Sequence, residues 1–213
     1  MFEYPFLYPI LDIEVSRSGD CEQDFIEACK SGIKIIQLRA KKVTHDKYKE
    51  CAEMARQITK ENGVKLIIND WPDIAKEVDA DGVHVGQSDM AITSARQMLG
   101  PDKIVGGSAE NLEQALKAEQ AGADYVGVGA IFRTATKEDI GVLGVSKFKE
   151  ITKKVKIPVI AIGGVTSKNF TRVLDAGAKS VAVISDIFLS ENINKKIKEY
   201  EERYKEYARR IDY

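Results

Sequence analysis

Short apolar runs of strand length alternate along this chain with stretches in which apolar residues recur every three or four positions. Phe6 to Leu11 precedes a helical stretch from Cys21 to Lys30, Ile33 to Leu38 precedes one from Asp46 to Glu61, and Val64 to Ile68 precedes Pro72 to Val78. Gly82 to Val85 leads into Ile92 to Leu99, Ile104 and Val105 into Asn111 to Ala121, and Tyr125 to Val128, after a long loop, into Ser146 to Val155. Ile157 to Ile162 precedes Lys168 to Asp175, and Val181 to Ile184 precedes a final charged helix through Arg209. The two periods together predict eight βα units.

Mostly apolar strands, each followed by a helix, suit a parallel sheet covered on both faces, and eight repeats close into a barrel. A doubly wound sheet would carry a Gly-rich turn after its first strand. Here that strand runs into Leu11-Asp12-Ile13. The segments SGIKIIQ, VDADGVHV, AGADYVGV and AGAKSVAV pass from a small or Gly-containing helix end into the next strand, which is the chemistry of αβ loops. With no linker or composition break, the chain predicts a single-domain (βα)8 TIM barrel over residues 1–213.

Seven polar clusters follow the apolar runs: Gln37-Leu38-Arg39-Ala40-Lys41, Asn69-Asp70, Gly86-Gln87-Ser88-Asp89, Gly106-Gly107-Ser108, Thr134-Ala135-Thr136-Lys137, Gly163-Gly164 and Ile184-Ser185. In a parallel barrel all seven meet at one mouth, where this fold keeps its chemistry. Cations, two carboxylates, hydroxyls and Gly turns are an inventory for phosphate groups and a divalent metal. With 32 basic and 33 acidic residues, the net charge of −1 gives no general attraction to nucleic acid or an anionic membrane. Electropositive patches are therefore expected to be local.

Gly163-Gly164 after the seventh strand offers open backbone N–H groups to an anion, and Ser185 after the eighth is expected to cap a short helix facing the same point. Arg39 and Lys41, at alternate positions, present a planar guanidinium and a point charge suited to a pyrophosphate. Asp70 and Asp89 match the preference of magnesium for one or two carboxylates, with caps of the following helices as the plain alternative. Thr134, Ala135, Thr136 and Lys137 open a long loop whose hydroxyls and ammonium suit a second phosphate. His84, between Val83 and Val85, reads as a strand or core residue, and Cys21, Cys29 and Cys51 as passive. MFEYPFLYPILDIE has no basic segment leading a long apolar one, so the expectation is a soluble cytoplasmic protein.

The motifs QLRAK, IINDWPDIA, DGVHVGQSDM, GGSAEN, DYVGVGAIFRTATK, IPVIAIGGV and VAVIS, in this order, resemble thiamine-phosphate synthase, also called thiamine-phosphate pyrophosphorylase. The resemblance implies a barrel that joins hydroxymethylpyrimidine pyrophosphate to hydroxyethylthiazole phosphate with magnesium. It implies small-molecule partners with no nucleic acid or membrane, and leaves a homo-oligomer open. It assigns Gln37, Leu38, Arg39, Ala40, Lys41, Asn69, Ser108 and Lys137 to the pyrimidine pyrophosphate, and Asp70 and Asp89 to magnesium. Thr134, Ala135, Thr136, Gly164, Ile184 and Ser185 then bind the thiazole phosphate, and Arg39, Lys41 and Lys137 stabilise charge on the leaving pyrophosphate.

Three positions depart from that family: Glu110 where many members have His, Arg133 in place of a Pro, and Trp71 after Asn69-Asp70. A thiazole tautomerase-like barrel, which would use a His near the fifth strand, and a non-catalytic phosphometabolite-binding protein are the alternatives. Arg39, at a strand end outside the core, is expected to tolerate Ala with loss of activity and little change in fold.

Overall fold

The structure is a computed structural model that describes residues 6–134 and 141–211. Its strands are β1 (Leu7–Asp12), β2 (Ile35–Arg39), β3 (Lys65–Asn69), β4 (Gly82–Val85), β5 (Ile104–Ala109), β6 (Tyr125–Val128), β7 (Val159–Ala161) and β8 (Ser180–Val183). The helices are α1 (Cys21–Lys30), α2 (His45–Glu61), α3 (Pro72–Glu77), α4 (Ile92–Leu99), α5 (Leu112–Gln120), α6 (Val145–Lys154), α7 (Phe170–Leu174), α8 (Ser185–Phe188) and α9 (Ile193–Ile211). All neighbouring strands pair in parallel, and β1 pairs with β8 to close the barrel in sequence order. The expected (βα)8 barrel is therefore observed, with α8 as a short extra helix.

Two apolar cores result from the alternation of side chains along each strand. Tyr8, Ile10, Ile35, Ile67, Tyr125, Ile160 and Ala182 fill the lumen. Leu11, Ile36, Leu38, Leu66, Ile68, Val83, Val126 and Val183 face outward to the helices, where Phe25, Tyr48, Phe148 and Phe170 are fully buried. A run such as Ile35-Ile36-Gln37-Leu38-Arg39 looks nearly unbroken in sequence because both faces are covered. Its odd positions point inward, toward the mouth.

Helix starts follow local chemistry where it is available. Asp20, Thr44 and Asn111 cap α1, α2 and α5 by accepting the N–H of the third residue onward. Ser185 does not act as the expected cap: it is the first residue of α8, and Ile184 occupies the cap position without a side-chain bond. Asp70 and Asp89 are not caps either, since Trp71 and Ala91 precede α3 and α4 without side-chain bonds. The two carboxylates are thus left for other partners.

β5 is the largest departure from the sequence pattern, which stopped it at Val105. The strand continues through Gly106, Gly107 and Ser108, with Gly106 opposite Tyr125. A Cβ at Gly106 would lie 2.2 Å from Tyr125 Cζ, and one at Gly107 would lie 2.9 Å from Ile92 Cδ1. Room for neighbouring side chains, on both faces, outweighs the weak strand propensity of glycine.

Tyr48 of α2 fastens the site-bearing ends of two strands. Its buried hydroxyl donates to the Leu38 carbonyl at 2.7 Å and accepts from the Asn69 N–H at 3.1 Å. Tyr48→Phe strands both backbone groups away from water and is expected to cost about 1–3 kcal/mol in chemical denaturation. An unchanged denaturation midpoint would show that the strand ends do not depend on this clasp.

Candidate active site

A cavity lies at the C-terminal ends of the strands, and Gln37, Arg39, Asn69, Ser108, Thr134, Gly164, Ile184 and Ser185 all line it. Leu38 and Ala40 turn their side chains into the outer core, so only their backbone is on the mouth side of β2. Ala135, Thr136 and Lys137 lie outside the described residues. Lys41, Asp70 and Asp89 form a charged cluster beside the cavity, two residues beyond Arg39 and one beyond Asn69.

Arg39 is ion-paired with Asp12 at the end of β1, whose side chain is 1% exposed. Sequence reasoning passed over Asp12, although a charge ending an otherwise apolar strand is a usable signal. This partner alters the expectation for Arg39→Ala, which would leave a buried carboxylate uncompensated and destabilise the fold. Glu14 adds a second tie, accepting the Lys41 N–H at 2.8 Å.

Lys41 Nζ donates to Asp70 Oδ2. Burial, reinforced by a hydrogen bond with Asp89, pushes the Asp70 carboxyl up to about 6, with Lys41 opposing the rise. Burial also acts against ionisation of Asp89, but the shared hydrogen bond and the Gly86 N–H, which donates to Oδ2 at 2.8 Å, hold it below the ordinary carboxylate range. Asp70 has φ of 68°, a conformation that Asp and Asn adopt more readily than most residues. Two carboxylates sharing a proton beside a lysine form a donor set that a divalent cation can take over. Among the described residues, no group of three His, Cys, Asp or Glu side chains gathers for a metal.

On the other side of the mouth, Gly163 and Gly164 have φ of 90° and 65°. A Cβ at Gly164 would lie 2.4 Å from the Arg133 carbonyl oxygen, so the turn fits closely under the loop after β6. Phe132 N–H donates to the Gly163 carbonyl at 3.0 Å, and Asn169 Nδ2 to that of Gly164 at 3.0 Å. Asp186, next to Ser185, accepts from Ser167 N–H at 2.9 Å and from the Tyr200 hydroxyl of α9 at 2.8 Å. The outer helix thereby braces the Gly turn and the start of α8 together.

Asn69 Nδ2 is buried and has no hydrogen-bond partner among the described residues. A buried amide without a partner is costly, and this one belongs to a side chain that lines the cavity. Tyr8, His84 and Tyr125 line it as well. His84 does lie on a strand, but its imidazole faces the mouth and meets Ser108 at 2.8 Å, a role its alternation between Val83 and Val85 would have indicated. His45 starts α2 and pairs with Asp73 at 2.9 Å. Burial pushes the Cys21 and Cys29 thiols up to about 12 and raises that of Cys51 as well, which disfavours their thiolates.

Of the three unusual residues, Glu110 lines the cavity and is exposed, and Arg133 is exposed on the loop after β6. Trp71 is half-buried and packs edge-on to His45 at 5.0 Å and against Tyr48 at 6.2 Å. It supports the base of α2 and does not line the cavity.

Comparison with known proteins gives a consistent answer. Residues 7–187 match the model of a family described as thiamine monophosphate synthase. The chain is 43% identical over 190 residues to the thiamine-phosphate synthase of Clostridium acetobutylicum, covering 89% of this chain and 90% of the relative. It is 44% identical over 182 residues to that of Methanobrevibacter smithii, covering 84% and 87%. The solved structure of thiamine phosphate pyrophosphorylase from Pyrococcus furiosus superimposes with a TM-score of 0.85 at 36% identity, covering 95% of this chain and 96% of that one.

The raised pKa of Asp70 gives the metal-free protein a defined pH dependence. A pKa above the ordinary 3.8 means that the folded state holds this proton more tightly than the unfolded chain. The contribution to stability is full below pH ~4 and is lost as pH rises through ~6. Asp70→Asn, which suits the same backbone conformation, is therefore expected to stabilise the metal-free chain by about 1–2 kcal/mol at neutral pH and not at pH ~4. Thermal unfolding at the two pH values checks this, and equal or lower stability at neutral pH would contradict the buried-charge account.

Proposed function

The chain belongs to the thiamine monophosphate synthase family, and on that premise we propose that its barrel mouth joins a pyrimidine-methyl pyrophosphate to a thiazole phosphate, releasing pyrophosphate. The carrying observation is the unpartnered Asn69 Nδ2, a buried donor on a side chain that lines the cavity with Arg39 and directly precedes Asp70. Gln37, Arg39, Lys41, Asn69, Ser108 and Lys137 take the pyrimidine pyrophosphate on this reading. Thr134, Thr136, Gly164, Ile184 and Ser185 take the thiazole phosphate, with the Leu38, Ala40 and Ala135 backbone completing the contacts.

The carbon–oxygen bond to the pyrophosphate breaks, and the thiazole nitrogen supplies the electron pair for the new carbon–nitrogen bond. A ring nitrogen with a free lone pair needs no general base. The demand on the protein is to stabilise charge developing on the leaving group and to hold the two rings in line. Arg39, fixed by Asp12, presents its guanidinium without reorganising. Lys41 is held near the same point by Asp70. Asp70 and Asp89 would hold magnesium, which would supply further neutralisation of the pyrophosphate. The apolar lumen residues Ile10, Ile160 and Ile162, which line the cavity, exclude water from the reacting carbon.

The tautomerase alternative expects a His where this chain has the exposed Glu110, and has no use for the paired Asp70 and Asp89. No helix of the described residues is long and apolar enough to cross a membrane. A cytoplasmic location and one domain over residues 1–213 complete the proposal.

Incubation with both phosphorylated substrates and magnesium is expected to yield thiamine phosphate and pyrophosphate in equal amounts. Thiazole isomerisation alone, or tight binding without product, would sink the synthase reading. Arg39→Lys keeps a charge for Asp12 but loses the planar fork, and is expected to lower kcat by about 10- to 100-fold with the fold retained. Near-normal turnover in that variant would remove Arg39 from the pyrophosphate site.

A further inference from the structure

Five side chains from five strands form one hydrogen-bonded line across the lumen. Gln37 Nε2 donates to the Tyr8 hydroxyl at 2.8 Å, and the Tyr8 and Tyr125 hydroxyls lie 2.9 Å apart. The Tyr125 hydroxyl is 3.0 Å from His84 Nδ1, and His84 Nε2 is 2.8 Å from Ser108 Oγ. A hydroxyl has one proton to give, so the direction set at one end passes along the line. The Gln37 amide donates to Tyr8, which turns the Tyr8 proton toward Tyr125, and Tyr125 in turn donates to Nδ1. A neutral imidazole accepting at Nδ1 carries its proton on Nε2 and donates it to Ser108. The Ser108 proton is left to point away from His84, into the cavity that both residues line.

The line is built into the barrel and does not fill space by chance. His84 and Tyr125 stack at 5.5 Å with 27° between their planes. A glycine on the neighbouring strand leaves room for the phenol ring: a Cβ at Gly106 would overlap Tyr125. Tyr8 and Tyr125 are buried at 1% and 3% exposure, where a phenol without a partner is costly and Phe would suffice for packing.

We propose that His84 is a positioning residue that fixes the Ser108 hydroxyl as a hydrogen-bond donor to the leaving pyrophosphate. This rests on the assignment of Ser108 to the pyrimidine pyrophosphate given above. A lone serine hydroxyl can turn its proton or its lone pairs toward an anion, and only the first arrangement binds it. His84 holds the favourable one in advance, so the donor meets developing negative charge without reorganising.

The test is a double-mutant cycle on the affinity of the full chain for magnesium pyrophosphate, read by titration calorimetry with thermal unfolding alongside. Ser108→Ala and His84→Phe are each expected to weaken binding about five- to tenfold. The double variant is expected to bind no more weakly than Ser108→Ala, because His84 acts through the missing hydroxyl. His84→Gln, whose amide N–H can reach Oγ, is expected to recover most of the affinity. Losses that multiply in the double variant overturn the proposal. So does a His84→Phe protein that unfolds earlier but binds pyrophosphate as tightly as the wild type, since His84 then only packs. Turnover by the wild type is a separate readout: intact coupling without thiamine phosphate formation overturns the synthase reading alone, and no pyrophosphate binding overturns both.

Discussion

A strand closed into a parallel barrel has no face to give to water, and this double burial decides where polar side chains can sit. Outward positions must meet helices, so Ile36, Leu38, Val83 and Val126 are apolar without exception. Inward positions below the mouth fill the lumen, and only those at the C-terminal strand ends reach a space that can hold water or an anion. Gln37, Arg39, Asn69, His84 and Ser108 all occupy such inward positions. The chemistry of the molecule is concentrated there because burial excludes it elsewhere.

Charges placed in that space are paired before a substrate arrives. Arg39 is held by Asp12, Lys41 by Asp70, and Asp70 by Asp89. Each pairing limits the cost of keeping a charge out of water and keeps the side chain oriented. The arrangement on the opposite side of the cavity is different in kind. Gly163-Gly164, Thr134 and Ser185 offer backbone N–H groups and hydroxyls, and its rigidity comes from Asn169, Asp186 and Tyr200 behind it. A charged half faces a neutral, hydrogen-bonding half, and on the proposed reading the two receive phosphorylated molecules of different charge.

Most of the barrel was legible because strand and helix periods alternate cleanly and because small or Gly-containing αβ loops mark four of the returns. The polar clusters were legible as strand ends for the same reason. What pattern reading missed depends on contacts between distant strands. β5 continues through Gly106-Gly107 because Tyr125 and Ile92 occupy the space a side chain would need, and nothing near residue 106 announces that. Asp12 reads as the end of a strand until Arg39 is seen beside it. His84 was set aside because its neighbours are apolar. Those neighbours face the helices, and the same alternation turns His84 toward Ser108. The capping alternative for Asp70 and Asp89 was open in sequence and was decided by the helix starts at Pro72 and Ile92.

The division of the mouth into two unlike halves is the central claim, and a crystal structure of the chain with magnesium and pyrophosphate tests it most directly. The expected result is a metal ion on Asp70 and Asp89 with the pyrophosphate against Arg39, Lys41, Ser108 and Asn69 Nδ2. Pyrophosphate seated instead on Gly163-Gly164 and Ser185, with Lys41 still paired to Asp70 and no metal on the carboxylates, would contradict it.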